Sequence, residues 1–343
     1  MQIAERAKSL APEQYGSRKD HRAIDLAVNK TLTSNILHQL KRTGAICSNN
    51  TKSCYNLIGH TQASLAMQQV GVPKSFVDCL FTTLQQGVHK VHTWYGDSEA
   101  TYSGTDILIP IHGIYQGNGV GPAIWAVVSS PLLELMHSKG FGFLLFAPVS
   151  KTEIRFVGYA FVDDTDLIQI LDASKTSEQV WQELQRASDT REAALSSTCG
   201  AIAPEKTHWC LIDFTWHNGY WRYKTNEECP GSLHAFYIHA DRKQLKHIPV
   251  SKAAETLGVH LAANSDTSAQ MLHLETKVRE WVDKMKAGVL TRQEMWVALQ
   301  STIWRTLLYP LPATNLSKKQ CKKIMSILLQ FALPTLGICH SFP

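Results

Sequence analysis

The sequence predicts an α+β domain followed by an all-helical, basic region. Three observations carry this. The run Val157-Gly158-Tyr159-Ala160-Phe161-Val162-Asp163-Asp164-Thr165-Asp166-Leu167-Ile168 sets two adjacent acids between apolar, β-prone flanks, the pattern of a hairpin. Asn218-Gly219 separates two aromatic-rich runs, a second hairpin signal. After about Ser265 strand patterning stops and three helical segments follow.

In order, Asp20 to Arg42 reads as a helix, with Ile24, Ala27, Val28, Ile36, Leu37 and Leu40 at helical spacing and Gly44 as a stop. Ala45 to Ser48 is a short apolar strand. Thr61 to Gln69 and Lys74 to Gln86 are helices, ended by Gly71 and Gly87. Val88 to Tyr95 and Asp106 to Ile111 are strands around a polar turn. Pro122 to His137 is an apolar helix opened by a glycine-rich loop. Phe141 to Phe146 and Ile154 to Ile170 are strands, the latter folded at the acid pair. Thr176 to Leu195 is a helix with a capping box, Thr176 to Gln179. His208 to Trp216 and Tyr220 to Tyr223 flank the Asn-Gly turn. The last three helices are Ser268 to Ala287, Thr291 to Leu308, with Thr291 and Glu294 as a capping box, and Ser317 to Phe331.

Composition narrows the function classes. The chain has 343 residues and a formal net charge of +5. From Ser268 to Gln330 ten basic side chains face only Glu275, Glu280, Asp283 and Glu294. Such a region suits a phosphate backbone, or is a solvated helix face. The eight cysteines are scattered with no CxxC pair, so neither a zinc ribbon nor a disulfide framework is suggested. Cys199, His208 and Cys210, and the pair His89 and His92, read as structural residues. Met1 to Pro12 lacks a signal-peptide core, and no apolar run is long enough to span a membrane. The expected setting is therefore intracellular, in cytoplasm or nucleus, with no membrane partner.

Charge beside apolar strands is costly unless a cation or polar group offsets it. Adjacent acids on a turn suit a hard divalent ion such as Mg²⁺; an ordinary acidic β-turn is the plainer alternative, since Asp favours turns. Context decides between them. Phe161-Val162-Asp163-Asp164, preceded at a compatible distance by Tyr115-Gln116-Gly117-Asn118-Gly119-Val120-Gly121-Pro122 and an apolar helix, resembles the aromatic-x-Asp-Asp box and glycine loop of the reverse transcriptases of non-LTR retrotransposons and group II introns. Tyr15-Gly16-Ser17-Arg18-Lys19-Asp20-His21-Arg22 resembles their fingers motif, Lys206 in Pro204-Glu205-Lys206 the lysine after the palm helix, and Leu257-Gly258-Val259 the turn of the primer grip. The similarity runs from about Tyr15 to Leu336.

This resemblance implies partial fingers at 1–44, a polymerase palm at 45–265 and a helical thumb at 266–343. It implies RNA-directed DNA synthesis on an RNA template with a DNA primer and dNTPs. Asp163 and Asp164 would hold two Mg²⁺ ions, or Mn²⁺. Arg18, Lys19 and Arg22 would meet the triphosphate, Gln116 and Gly117 would lie beside the templating base, Tyr55 would gate the ribose, and Lys206 would protonate pyrophosphate. Lys318, Lys319, Lys322 and Lys323 would hold nucleic acid. The chain is also expected to lack the earlier finger strands and any nuclease region.

One position departs. The family pattern Asp-x-Lys-x-x-aromatic-Asp falls on Asn50, Lys52, Tyr55 and Asn56, so both aspartates are asparagines. An amide can offer its oxygen to a cation but no charge. No acid lies between Asp25 and Asp78 to substitute. Catalysis of this type is mostly positioning and electrostatics, so weak or absent activity is expected, with a decayed, nucleic-acid-binding relative as the alternative. A third class, a nucleotide cyclase, finds no support, because the chain has no Gly-Gly-Asp/Glu-Glu-Phe turn.

Overall fold

A computed structural model describes residues 1–103, 111–115, 118–147, 149–172, 174–229, 231–236 and 241–339. The helices are α1 (Gln2–Arg6), α2 (Ala23–Leu40), α3 (His60–Gln69), α4 (Lys74–Gln86), α5 (Gly121–Ser138), α6 (Ser177–Ser197), α7 (Ser268–Gly288), α8 (Arg292–Ala298), α9 (Trp304–Leu308) and α10 (Lys318–Thr335). The strands are β1 (Gly44–Lys52), β2 (His92–Thr93), β3 (Gly96–Asp97), β4 (Phe143–Ala147), β5 (Thr152–Phe156), β6 (Gly158–Phe161), β7 (Asp164–Ile170), β8 (Ala201–Ile202), β9 (His208–Ile212), β10 (Phe214–His217), β11 (Tyr220–Tyr223), β12 (His234–Phe236), β13 (Arg242–Gln244), β14 (Lys246–His247), β15 (Ala254–Thr256) and β16 (Val259–Leu261).

The chain forms two compact units. One comprises Met1–His21, Thr43–Asp213 and Asn226–Ile248; the other comprises Arg22–Arg42, Phe214–Thr225 and Pro249–Pro343. These units divide the chain elsewhere than at 44/45 and 265/266: helix α2 and the β10–β11 hairpin group with the helical C-terminal region.

The first unit is built on a sheet in the order β14-β9-β1-β7-β6, with β8 pairing the end of β1. All pairings are antiparallel except β14 with β9. Successive side chains on a strand face opposite ways. Ala45 and Cys47 of β1, Leu167 of β7, and Trp209 and Leu211 of β9 join a core with Leu133 and Met136 of α5 and Val180, Leu184 and Ala187 of α6. Ser48, Asn50, Asp164 and Asp166 therefore lie on the other face. A second core joins α3, α4 and α5 through Ala63, Met67, Val77, Phe81, Leu84 and Trp125.

The second unit packs α7 through Met271, Leu274, Val278, Val282 and Met285 against Met295, Leu299, Ile303, Leu307, Ile324 and Leu328. The expected helix over 291–308 is continuous in space but contains a π-helical turn, Leu299–Ile303, between α8 and α9. Ile24 and Ala27 of α2 pack on Val259 and Ala313. Leu257 and Gly258 form the left-handed two-residue turn between β15 and β16, with φ of 49° and 82°. The Tyr309 hydroxyl donates to the Leu257 carbonyl at 2.9 Å.

Several expected elements differ. Only His92–Thr93 of 88–95 is strand, and Asp106 to Pro110 of the next expected strand lies outside the described residues. The expected strand His208–Trp216 breaks at Asp213, whose carboxylate accepts from the Thr43 hydroxyl at 2.8 Å and from the Ser177 hydroxyl. No helix among the described residues is long and apolar enough to cross a membrane.

Candidate functional site

The acid pair sits where three strands of the first unit meet. Phe161 pairs with Asp164, leaving Val162 and Asp163 as a two-residue turn between β6 and β7. Val162 takes a left-handed φ of 55°. A β-branched residue there is strained, at a cost of about 1–3 kcal/mol, and persists only if its surroundings enforce it. Two contacts do so. The Trp125 indole N–H donates to the Val162 carbonyl at 2.5 Å. Gly16 presses on the same residue: a Cβ at Gly16 would lie 2.7 Å from the Val162 nitrogen. Residues 13–15 also line β6, with the Tyr15 N–H donating to the Ala160 carbonyl at 2.7 Å.

Asn50 is directly opposite Asp164 in the β1–β7 register. Its amide Nδ2 donates to Asp164 Oδ1 at 2.9 Å. Two residues along, the Ser48 hydroxyl donates to Asp166 Oδ1 at 2.5 Å, and Asp166 is buried. On the far side of β1, the Ala203 N–H donates to the Asn50 carbonyl at 2.9 Å. The Thr51 N–H donates to the Asp163 carbonyl at 3.0 Å. Asn50 is thus the point at which the acidic hairpin and the 201–206 segment converge.

Cys54 and Tyr55 complete the near side. Burial, reinforced by the Asp163 carboxylate, pushes the Cys54 thiol up to about 12. Tyr55 is likewise raised to about 12 by burial, then by Cys54 and Asp163. A Cβ on Gly121, the first residue of α5, would lie 3.3 Å from the Tyr55 ring. The Ile114 N–H donates to the Tyr55 carbonyl at 2.8 Å. The residues flanking the glycine loop therefore reach the predicted gate tyrosine; Gln116 and Gly117 themselves lie outside the described residues.

Other predicted residues stand differently. Arg18 points inward: its Nη1 donates to the carbonyls of Ala11 at 2.9 Å and Gln14 at 3.1 Å, and its Nε lies 3.4 Å from Glu5. It ties the N-terminal segment together and is not free for a triphosphate. Arg22 belongs to the second unit, where it pairs with Asp25 at 2.9 Å in a reciprocal cap of α2. The hydrogen bond and charge of Asp25 hold its guanidinium above the ordinary value. Lys19 is exposed. Lys206 is also exposed, on the turn closed by its own N–H to the Ala203 carbonyl. Of the four lysines on α10, Lys323 is paired with Glu275 at 2.7 Å, whereas Lys318, Lys319 and Lys322 are exposed.

Arg191 was not anticipated. Fully buried in α6, it donates through Nη2 to Thr165 Oγ1 at 2.9 Å and Thr51 Oγ1 at 3.4 Å, the neighbours of Asp164 and Asn50 on the helix-covered face. Burial lowers its pKa to about 10. Its place in the buried row Val180, Leu184, Ala187, Arg191 is the signal that marks it as interior.

The donor set does not make up a two-cation centre. Among the described residues no three His, Cys, Asp or Glu side chains lie close enough together to hold a metal ion. The third position is a neutral amide whose N–H already points into Asp164. That N–H takes an oxygen lone pair that a cation would use.

No family model matches this chain, and no curated protein does. Among solved structures, telomerase from Candida tropicalis in complex with a TWJ fragment of telomeric RNA is 9% identical over 99% of this chain and 54% of its own, with a TM-score of 0.42. The corresponding Candida albicans telomerase complex is 9% identical over 98% and 52%, with a TM-score of 0.41. The chain spans about half the length of these proteins, and likeness at this level assigns no function to it.

Proposed function

We propose that this chain is a nucleic-acid-binding domain on a palm like that of reverse transcriptases, with its nucleotidyl-transfer centre neutralised at Asn50. The motifs from Tyr15 to Gly258 support the palm reading. One observation supports the loss of chemistry: the Asn50 amide is hydrogen-bonded to Asp164 where a third carboxylate would complete the site. Lys318, Lys319 and Lys322 supply positive charge for a phosphate backbone. The proposed ligand is an RNA template with an annealed DNA primer, held without efficient turnover.

Losing one charged ligand removes several kcal/mol of transition-state stabilisation, on the order of a thousandfold in rate. Primer extension on an RNA template with dNTPs, in Mg²⁺ and then Mn²⁺, tests this. The wild type is expected to bind template–primer in a salt-dependent manner and to incorporate nothing, while Asn50→Asp gains incorporation. Sustained extension by the wild type would overturn the reading.

A further inference from the structure

The β10–β11 hairpin of the second unit carries an aromatic ladder. Register pairs Phe214 with Tyr223 and Trp216 with Trp221. Period-two alternation puts all four rings on one face. The first pair is anchored on α2. His38 stacks on Tyr223 with centroids 5.4 Å apart and planes at 18°, and the Lys41 ammonium lies 5.2 Å from the Phe214 ring. The second pair is a different case. Trp216 and Trp221 meet edge to face at 5.4 Å and 76°, yet remain 58% and 48% exposed. The tip is a tight turn, with Asn218 and Gly219 both left-handed at φ of 48° and 84°.

Cross-strand aromatic pairs stabilise a hairpin, which accounts for the contact between the two indoles. It does not account for leaving about half of each in water at a tip held rigid from its other end. The hairpin itself carries no acid from Phe214 to Thr225; its cations His217, Arg222 and Lys224 alternate onto the face opposite the indoles, and Lys41 at the end of α2 stands on the aromatic face, over Phe214. Rigid, half-exposed aromatic faces fit unpaired bases, since every base has a π-face, and Lys41 at the foot of the same ladder suits a phosphate. A duplex hides those faces within its base stack.

We infer that Trp216 and Trp221 form a stacking platform for single-stranded nucleic acid. This rests on the nucleic-acid-binding reading above and adds to it a site that discriminates single strands from duplex. The test uses the full chain and fluorescence anisotropy with a labelled mixed-sequence 16-nucleotide RNA, the DNA of the same sequence, and a duplex of it. Trp216→Ala and Trp221→Ala are each expected to weaken single-strand binding roughly tenfold, as for the loss of one stacked base. Duplex binding should change less than about twofold, and Trp216→Phe with Trp221→Phe should retain most single-strand affinity. RNA weakened alone would assign the platform to RNA, and both weakened to either strand. Equal single-strand affinity of wild type and alanine variants would overturn the platform and leave the binding reading intact. No nucleic-acid binding by the wild type would overturn both. Alanine variants that instead convert a wild-type dimer to monomer, with binding unchanged, would assign the rings to a second copy of the chain and also overturn it.

Discussion

At the scale of single residues, Asn50 decides what Asp163 and Asp164 can be. A hydrogen bond from an amide to a carboxylate is worth about 1.5–3 kcal/mol, so the pair stabilises the β1–β7 ladder without a cation. Placing aspartate at 50 sets two like charges face to face across the strands, which is destabilising and raises the pKa of one carboxyl of the pair. The Asn50→Asp protein should therefore melt several degrees below the wild type at pH 7 in EDTA. A carboxyl whose folded pKa is raised binds its proton more tightly in the folded state, so part of that loss should be regained as the pH falls toward 5. It should also be regained in millimolar Mg²⁺, a ligand of the folded state only, while the wild-type midpoint should ignore Mg²⁺. Differential scanning fluorimetry reads all of these, and an Asn50→Asp variant as stable as the wild type in EDTA would contradict the pairing.

At the scale of elements, α10 opens with four exposed lysines in its first six residues. Cations in the first turn of a helix oppose its dipole by about 0.3–1 kcal/mol each. Lys318 and Lys319 thus sit where helix stability alone would not put them, with Lys322 exposed one turn on, while Lys323 is matched by Glu275, itself held below the ordinary carboxylate range by hydrogen bonds from Lys323 and Arg279. Replacing Lys318, Lys319 and Lys322 together by Gln should reduce the slope of log affinity against log salt on a single strand by roughly 2, at about 0.7 per phosphate contact. Lys323→Gln should change it less. An unchanged slope in the triple variant would remove α10 from the interface. Elements of this kind were legible because their signals are local. The capping boxes at Thr176 and Thr291 form as read, Asn218-Gly219 makes its turn, and Lys74–Gln86 is helical between the residues expected. What the sequence hid depends on pairing across the chain. Asn50 meets Asp164 only through strand register, Arg18 turns inward only because Ala11 and Gln14 offer carbonyls, and left-handed Val162 needs Gly16 and Trp125. Helix α2 groups with residues 249–343 through contacts more than 200 residues apart in sequence, such as Lys30 Nζ to Thr256 Oγ1 of β15 at 3.1 Å.

At the scale of the whole molecule, four histidines set the response to pH. His60, His247, His38 and His273 are all lowered from the ordinary 6.5, in each case first by burial. For His60, burial outweighs its hydrogen bond with the Gly113 carbonyl at 2.7 Å. For His247, which stacks on Trp209 with centroids 3.9 Å apart, burial acts alone. A histidine lowered in the folded state binds its proton more tightly when unfolded. Its contribution is present above pH 6.5 and is lost as the pH falls through that value. Glu192 works in the opposite sense, its carboxyl raised by burial, but it is one group against four. Asp266 and Glu294 are lowered by hydrogen bonds at helix starts and act only nearer pH 4, where they add to the loss. Thermal midpoints should therefore fall steadily from pH 7.5 to pH 5.5. His60 and His247 should dominate, being more buried than His38 and His273, whose effect solvent screens. In His247→Gln, which cannot take up the proton, the midpoint should start lower at pH 7.5 through lost stacking on Trp209 and decline less steeply. A wild-type midpoint that stays level or rises between pH 7 and 5.5 would show that these histidines are not held neutral by the fold.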